Sequence, residues 1–254
     1  MQMNSAPLLQ LQNVSFEYSQ KGKEPVHALR GVSLSVRAGE CVGIVGESGC
    51  GKTTLANVAL GLLQPSSGCV LVEGMEMHGS SSWKAAYTKI QAVFQNPAGS
   101  FDPRRTLGYS AAEPLRNGGV GKASARERVL ELFTECGLDA DLFNRYPHQV
   151  SGGQCQRAAI ARALALEPKL LVCDEATSAL DATVRRKVAN LLCSLQRKKS
   201  TALLFISHDI SLVGQLCGTI AVMRAGEFVE QGATMQILES PKHPYTQLLI
   251  DSVL

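Results

Sequence analysis

Gly46-Glu47-Ser48-Gly49-Cys50-Gly51-Lys52-Thr53 reads G-x-x-x-x-G-K-T and follows the short apolar run Cys41-Val42-Gly43-Ile44-Val45. A strand that delivers the chain into such a turn, with a helix opening at Lys52 or Thr53, aims consecutive backbone N–H groups and the positive end of a helix at one point. That point suits the phosphates of a nucleotide, and the glycines let the backbone come close to them. Lys52 would reach the β- and γ-phosphates. The Thr53 hydroxyl would help hold Mg2+, a small hard cation that takes only one or two protein oxygens beside phosphates and water. Gly46 through Thr54 are therefore the first candidate contacts for a nucleotide.

Upstream, Leu8 to Tyr18 alternates apolar and polar residues, and Val26 to Val36 repeats the pattern, which predicts strands in an antiparallel layer. Tyr18 sits near the end of the first strand, where it either stacks on adenine or packs as an ordinary tyrosine. Downstream, Thr54 to Leu63 carries Leu55, Val58, Ala59, Leu62 and Leu63 at helical spacing, ended by Pro65-Ser66-Ser67-Gly68. Val70 to Val72 reads as a strand, Gly79-Ser80-Ser81-Ser82 as a loop, and Ile90 to Phe94 as a buried strand delivering Gln95 to its carboxyl edge. An amide there could touch both Mg2+ and a movable loop, Asn96 to Arg105, or be a plain surface glutamine.

Thr106 to Arg145 turns helical, with Val129, Leu130, Leu132, Phe133 and Cys136 on a buried face, and reads as a helical subdomain inserted into an α/β core. It ends at Val150-Ser151-Gly152-Gly153-Gln154, where Ser151 fits an N-cap and the glycines bare a second anion-binding helix start. Lys169 to Glu175 is an apolar strand ending in two carboxylates. Asp174 is placed to hold Mg2+ through water, and Glu175 to polarise an attacking water as general base. Ser178-Ala179-Leu180-Asp181 turns the chain into a helix marked by Val184, Val188, Leu191, Leu192 and Leu195. Thr201 to Ile206 is a further buried strand, bringing His208 to the same edge; alone it would be a structural histidine, but beside these motifs it can hydrogen-bond the γ-phosphate and orient water or Glu175. Ile220 to Met223 and Phe228 to Glu230 read as a closing hairpin around Ala225-Gly226, followed by a short helix and a tail.

The chain of 254 residues is 45% hydrophobic and 19% charged, with a net charge of +3, a balance that gives no argument for nucleic acid. No apolar run reaches the length of a membrane span, and the start lacks the pattern of a signal peptide, so the cytoplasmic side is expected. Eight scattered cysteines without a C-x-x-C pair read as small apolar fillers in a reducing compartment.

Taken together, the loop at Gly46, the Val150 to Gln154 stretch, the Asp174-Glu175 strand end and His208 resemble the ATP-binding subunit of an ATP-binding cassette (ABC) transporter, over essentially the whole chain. The resemblance implies a P-loop α/β core over about 1–95 and 168–240 with an antiparallel β layer, a helical subdomain over about 96–167, and a short tail at 241–254. It implies that Tyr18 stacks adenine, that Gln95 joins Mg2+ to a membrane partner, that Asp181 contacts the dimer partner, and that Glu175 and His208 are the hydrolytic pair. Ser151, Gly152, Gly153 and Gln154 would bind the γ-phosphate of ATP held by a second ATP-binding subunit, so that one copy holds no complete site. Phe94 to Thr106 and Ser240-Pro241-Lys242-His243-Pro244-Tyr245-Thr246 look like the oligopeptide, dipeptide and nickel importer group. That group implies two permeases, an external binding protein and a place on the cytoplasmic face of the inner membrane. Some peptide importers carry a cysteine cluster after this stretch, whereas the last cysteine here is Cys217, so the nickel or metal-chelate branch is expected, with peptides as the alternative. Of the other classes, a soluble cassette ATPase working on DNA or ribosomes would carry a coiled coil or two cassettes, and a non-hydrolysing regulatory module would not need Glu175 and His208.

Overall fold

The computed structural model describes residues 6–19, 22, 24–176 and 182–252. Two sheets share one core. The first is antiparallel, in the order β2-β1-β4-β5, from β1 (Leu9–Tyr18), β2 (Val26–Val36), β4 (Ser67–Val72) and β5 (Met75–Glu76). The second has six strands in the order β10-β9-β3-β8-β7-β6, from β3 (Cys41–Val45), β6 (Ile90–Val93), β7 (Leu170–Asp174), β8 (Ala202–Ser207), β9 (Thr219–Arg224) and β10 (Glu227–Ala233). All its pairings are parallel except the β9–β10 hairpin.

The parallel strands read as unbroken apolar runs because both of their faces are covered. In β8, Ala202, Leu204 and Ile206 point toward the antiparallel layer, while Leu203 and Phe205 point the other way. Helix α1 (Lys52–Ala59) packs between the two sheets through Leu55, Ala56, Val58 and Ala59. On the opposite face lie the helices after β6. They are α3 (Leu107–Ala111), α4 (Glu113–Asn117), α5 (Lys122–Glu135) and α6 (Gly152–Leu164), then α7 (Ala182–Lys199) and α8 (Ile210–Leu216). Helix α2 (Gly79–Ala86) precedes β6, and α9 (Thr234–Glu239) and α10 (Pro244–Asp251) close the chain. Most cysteines are buried in the core, and burial pushes the Cys173 thiol well up, as expected of an apolar filler.

Two local expectations are corrected. Helix α1 stops at Ala59 rather than running to Leu63, because Gly61 adopts φ +70° and the Leu62 and Gly61 amides bond back to the Asn57 and Val58 carbonyls. That is a Schellman C-cap, and it leaves Leu62 exposed instead of buried. A Cβ at Gly61 would lie 2.2 Å from the Trp83 ring, so the position needs glycine for space as well as for φ. Gly79 to Ser82 is the first turn of α2, not a loop; the Ser82 hydroxyl bonds the His78 and Gly79 carbonyls, and Ala86 buries at the helix end. The described residues stop short of Ser178 to Asp181, so the turn expected there lies outside them.

Glu73, in the β4–β5 turn, ties the two sheets together. It pairs with Lys169 at the start of β7 and with Lys89 before β6, the latter at 2.6 Å. Hydrogen bonds from Lys169 and then Lys89 hold its carboxyl below the usual glutamate range. A depressed pKa adds stability above the ordinary glutamate pKa that fades as pH falls through the lowered value. Glu73→Gln should therefore lower stability at pH 7 by about 0.5–1 kcal/mol. Its urea midpoint should converge with wild type under acid; a constant gap down to pH 2 would contradict the pairing. Gly61→Ala should cost more, about 1–3 kcal/mol, because strain and overlap add. A denaturation curve unchanged from wild type would refute this account of the α1 terminus.

Candidate active site

The parallel register decides which residues meet. Val45 pairs with Ser207, Asp174 with Ile206 and Val93 with Cys173, so the residues that follow these strands emerge along one edge of the sheet. Ligands of open α/β sheets collect there. Gly46 to Thr53 leaves β3 and enters α1, with Gly49 at φ +81° and Gly51 at φ +111°. A Cβ at Gly51 would sit 2.4 Å from the Ala28 carbonyl, and one at Gly46 would sit 2.2 Å from the Met223 carbonyl. No side chain caps α1 and no acidic residue occupies its first turn, so its positive end stays open to an anion.

Lys52 is buried, and its Nζ donates to the carbonyls of Gly46 at 2.9 Å and Glu47 at 2.7 Å. The ammonium thus waits over the loop it would share with phosphate. The Thr53 hydroxyl donates to Asp174 Oδ1 at 3.4 Å. Asp174 is 4% exposed, and burial, ahead of its neighbours, raises its pKa. A desolvated carboxylate facing a hydroxyl beside an open helix start fits Mg2+ carried in with phosphates, since the cation would relieve the charge burial disfavours. Glu175 takes φ +45°, a left-handed conformation costly for a residue with a side chain, and its amide bonds the Ile206 carbonyl at 3.0 Å. Its Oε2 lies 3.7 Å from His208 Nδ1.

A cavity of about 450 Å3 is lined by Tyr18, Ser48 to Thr54, Gln95 and Glu175. Tyr18 keeps 44% of its surface exposed, with its hydroxyl 3.3 Å from Thr54 Oγ1 and its ring edge-on to Phe16. The fold therefore gathers Tyr18, Ser48 to Thr54, Gln95 and Glu175 around one opening, with Asp174 bonded to Thr53 behind it and His208 beside Glu175. It does not bring Ser151 to Gln154 there. That stretch opens α6 with a complete capping box: Ser151 Oγ accepts the Gln154 N–H at 3.2 Å, and Gln154 Oε1 accepts the Ser151 N–H at 2.9 Å. Ser151 and Gly152 are exposed. The two glycines differ in purpose. Gly152 has open space where a Cβ would stand, whereas a Cβ at Gly153 would meet Val184 of α7 at 2.7 Å, so its smallness serves packing.

Three contributions escaped the sequence reading. His27 and Arg30 of β2 line the cavity, and the Ala225-Gly226 turn closes its side, with Gly226 N–H bonded to the Cys50 carbonyl at 2.9 Å. Tyr245 of α10 reaches under the loop, its hydroxyl accepting the Glu47 N–H at 3.0 Å. His27 and Arg30 carry no local signal, and Tyr245 had only its place in the His-Pro-Tyr-Thr stretch.

A strand, glycine loop and helix, with a paired-carboxylate strand end and a separate Ser-Gly-Gly helix start, define a P-loop ATPase of the cassette type. Residues 29–178 match the ABC transporter family model, and residues 229–254 match the model of the oligopeptide/dipeptide transporter C-terminal region. The chain belongs to the ABC transporter family, as one of its ATP-hydrolysing subunits. It is 45% identical to the oligopeptide transport ATP-binding protein OppF of Escherichia coli, over 89% of this chain and 69% of that protein. It is 42% identical to the di/tripeptide transport ATP-binding protein DppF of Pseudomonas aeruginosa, over 91% and 73%. Among solved structures it resembles the ATP-binding cassette MJ0796, a dimer in a post-hydrolysis state bound to ADP and phosphate, with TM-score 0.82 and 31% identity over 89% of this chain and 98% of that one. It also resembles cbiO1 of Clostridium perfringens, with TM-score 0.82 and 28% identity over 92% and 91%.

Asp174→Asn separates the two demands on that residue. Removing the buried charge should raise the melting temperature of the nucleotide-free chain at pH 7, while Mg2+-dependent ATP affinity should fall on the order of 10- to 100-fold. An affinity loss equal with and without Mg2+ would take the cation role away from Asp174.

Proposed function

We propose that this chain powers a peptide importer, pairing with a second ATP-binding subunit on the cytoplasmic face of the inner membrane beneath two permeases, with an external binding protein delivering cargo. The observation that carries the two-subunit reading is the exposed, capped start of α6, which does not reach the cavity of its own chain. A half-site of this kind needs the Ser151 to Gln154 of another copy, or of a related subunit, to close over the γ-phosphate. Peptide is favoured over the nickel or metal chelate expected from the tail, because the relatives are peptide transport subunits and residues 229–254 fit the oligopeptide/dipeptide C-terminal region.

In this reading Tyr18 stacks adenine, the amides of Ser48 to Thr54 cradle the phosphates, and Lys52, held over the loop by the Gly46 and Glu47 carbonyls, donates a further N–H to the γ-phosphate. Thr53, Asp174 and Gln95 would hold Mg2+, which would supply charge neutralisation at the phosphoryl oxygens. Glu175 accepts a proton from the attacking water as the new P–O bond forms and the bond to the β-phosphate oxygen breaks, releasing ADP and phosphate. His208, at 3.7 Å, steadies the Glu175 carboxylate. Asp181, assigned to the dimer contact by resemblance, lies outside the described residues.

Transmission to a permease fits the two residues that follow β6, Phe94 and Gln95. Gln95 faces the nucleotide cavity, while Phe94 lines a neighbouring groove of about 630 Å3 with Leu60, Trp83, Tyr87 and Pro114. An apolar groove this size accepts one turn or two of a helix. Closing and opening around ATP would move the groove through the backbone shared by Phe94 and Gln95. No described helix is itself long and apolar enough to cross a membrane.

Glu175→Gln in the assembled transporter tests the hydrolytic assignment: ATP binding should persist while turnover drops at least about 100-fold. Turnover near wild type would remove Glu175 from the role. Uptake of a labelled dipeptide and of labelled nickel, with and without this subunit, decides the cargo. Nickel uptake alone would reverse the peptide reading.

A further inference from the structure

The last helix is tied to the phosphate loop by a chain of specific contacts. Glu230 of β10 accepts the backbone N–H groups of Lys242 at 2.9 Å and His243 at 3.0 Å, which turns the chain back toward the sheet edge. His243 Nδ1 then accepts the Tyr245 N–H at 3.1 Å, capping α10 ahead of Pro244 at its first position. These contacts send Tyr245 inward. Its side chain is 4% exposed, the Arg224 guanidinium lies 4.9 Å from the centre of its ring, and its hydroxyl accepts the Glu47 N–H at 3.0 Å. Burial pushes its phenol above the ordinary tyrosine value, so it is neutral at physiological pH.

Glu47 is thereby held from both sides. Its N–H is taken by Tyr245, and its carbonyl is taken by Lys52 Nζ at 2.7 Å, next to the Gly46 carbonyl at 2.9 Å. The Glu47 side chain itself is exposed, so its backbone is what the fold secures. A glycine-flanked loop has many accessible conformations, and pinning one peptide at its entrance removes part of that freedom before an anion arrives.

We propose that Tyr245 is a positioning residue for the phosphate loop. Its hydroxyl fixes the Glu47 peptide so that the Gly46 and Glu47 carbonyls hold Lys52 beside the anion-binding amides, which makes nucleotide affinity depend on the docking of the C-terminal helix. The proposal rests on the reading of this loop as the ATP site. It gives residues 241–251 a task at the nucleotide rather than at the cargo.

The test uses the full chain and Tyr245→Phe, which keeps the ring and its packing and removes only the acceptor. Mg2+-ATP affinity, read with a fluorescent analogue, should fall about three- to tenfold, the size of one lost hydrogen bond to a partly buried donor. Backbone amide exchange should accelerate at Glu47 while amides of β3 and α1 keep their wild-type rates, a signature that loss of ring packing alone would not produce. Unchanged affinity together with unchanged Glu47 exchange in the variant would overturn the proposal. So would a wild-type Glu47 amide that exchanges as fast as an unfolded peptide, a measurement that needs no variant to fold. Failure of wild type to bind Mg2+-ATP would instead bring down the nucleotide reading beneath it.

Discussion

Parallel pairing of β3, β8, β7 and β6 is the constraint on which this molecule turns. Each pairing aligns strand ends as well as strand interiors, so the glycine loop after Val45, the carboxylates at Asp174 and Glu175, and His208 after Ser207 arrive at one edge. A one-residue slip would exchange the faces of a strand, pushing Leu203 and Phe205 toward the layer that now holds Ala202, Leu204 and Ile206. Apolar packing on both faces therefore guards the geometry of a polar edge.

That edge is built against local preference. Asp174 is an ionisable carboxyl that sits where burial favours its neutral form, Glu175 stands in a left-handed conformation, and the start of α1 has no side-chain cap. Each would be a defect in an idle protein. Together they describe an edge shaped for an anion rather than for its own stability. The stabilising contacts lie elsewhere, in the Glu73 pairings between the sheets and in the two apolar clusters that flank the parallel strands.

Division of labour along the helices follows the same logic. The start of α1 and the start of α6 are both suited to anions, but α6 satisfies its own end through Ser151 and Gln154 and turns that end outward. One helix start borders the cavity of its own chain; the other stands outside that cavity. Gly153 shows how a motif residue can answer two demands, since its bare Cα both opens the helix start and admits Val184 of α7.

The chemistry was legible in the residues because its signals are local: G-x-x-x-x-G-K-T, Ser-Gly-Gly-Gln and Asp-Glu after an apolar run each state a backbone shape and a charge within eight positions. The strands were legible through their alternation and apolar runs. The end of α1 was misread because Leu62 and Leu63 continue a helical period that Gly61 interrupts, and the serines after Gly79 resemble a loop while opening α2. Sequence by itself determined which groups this protein has for binding and cleaving a triphosphate. Only the tertiary structure decided which of them share a cavity: that Arg30 and His27 join it, that Tyr245 braces the loop from the far end of the chain, and that Ser151 stands apart from it. Periodicity and motif spacing record neighbours a turn or a strand away, whereas those meetings depend on strand register and sheet order, which are settled by burial between distant segments.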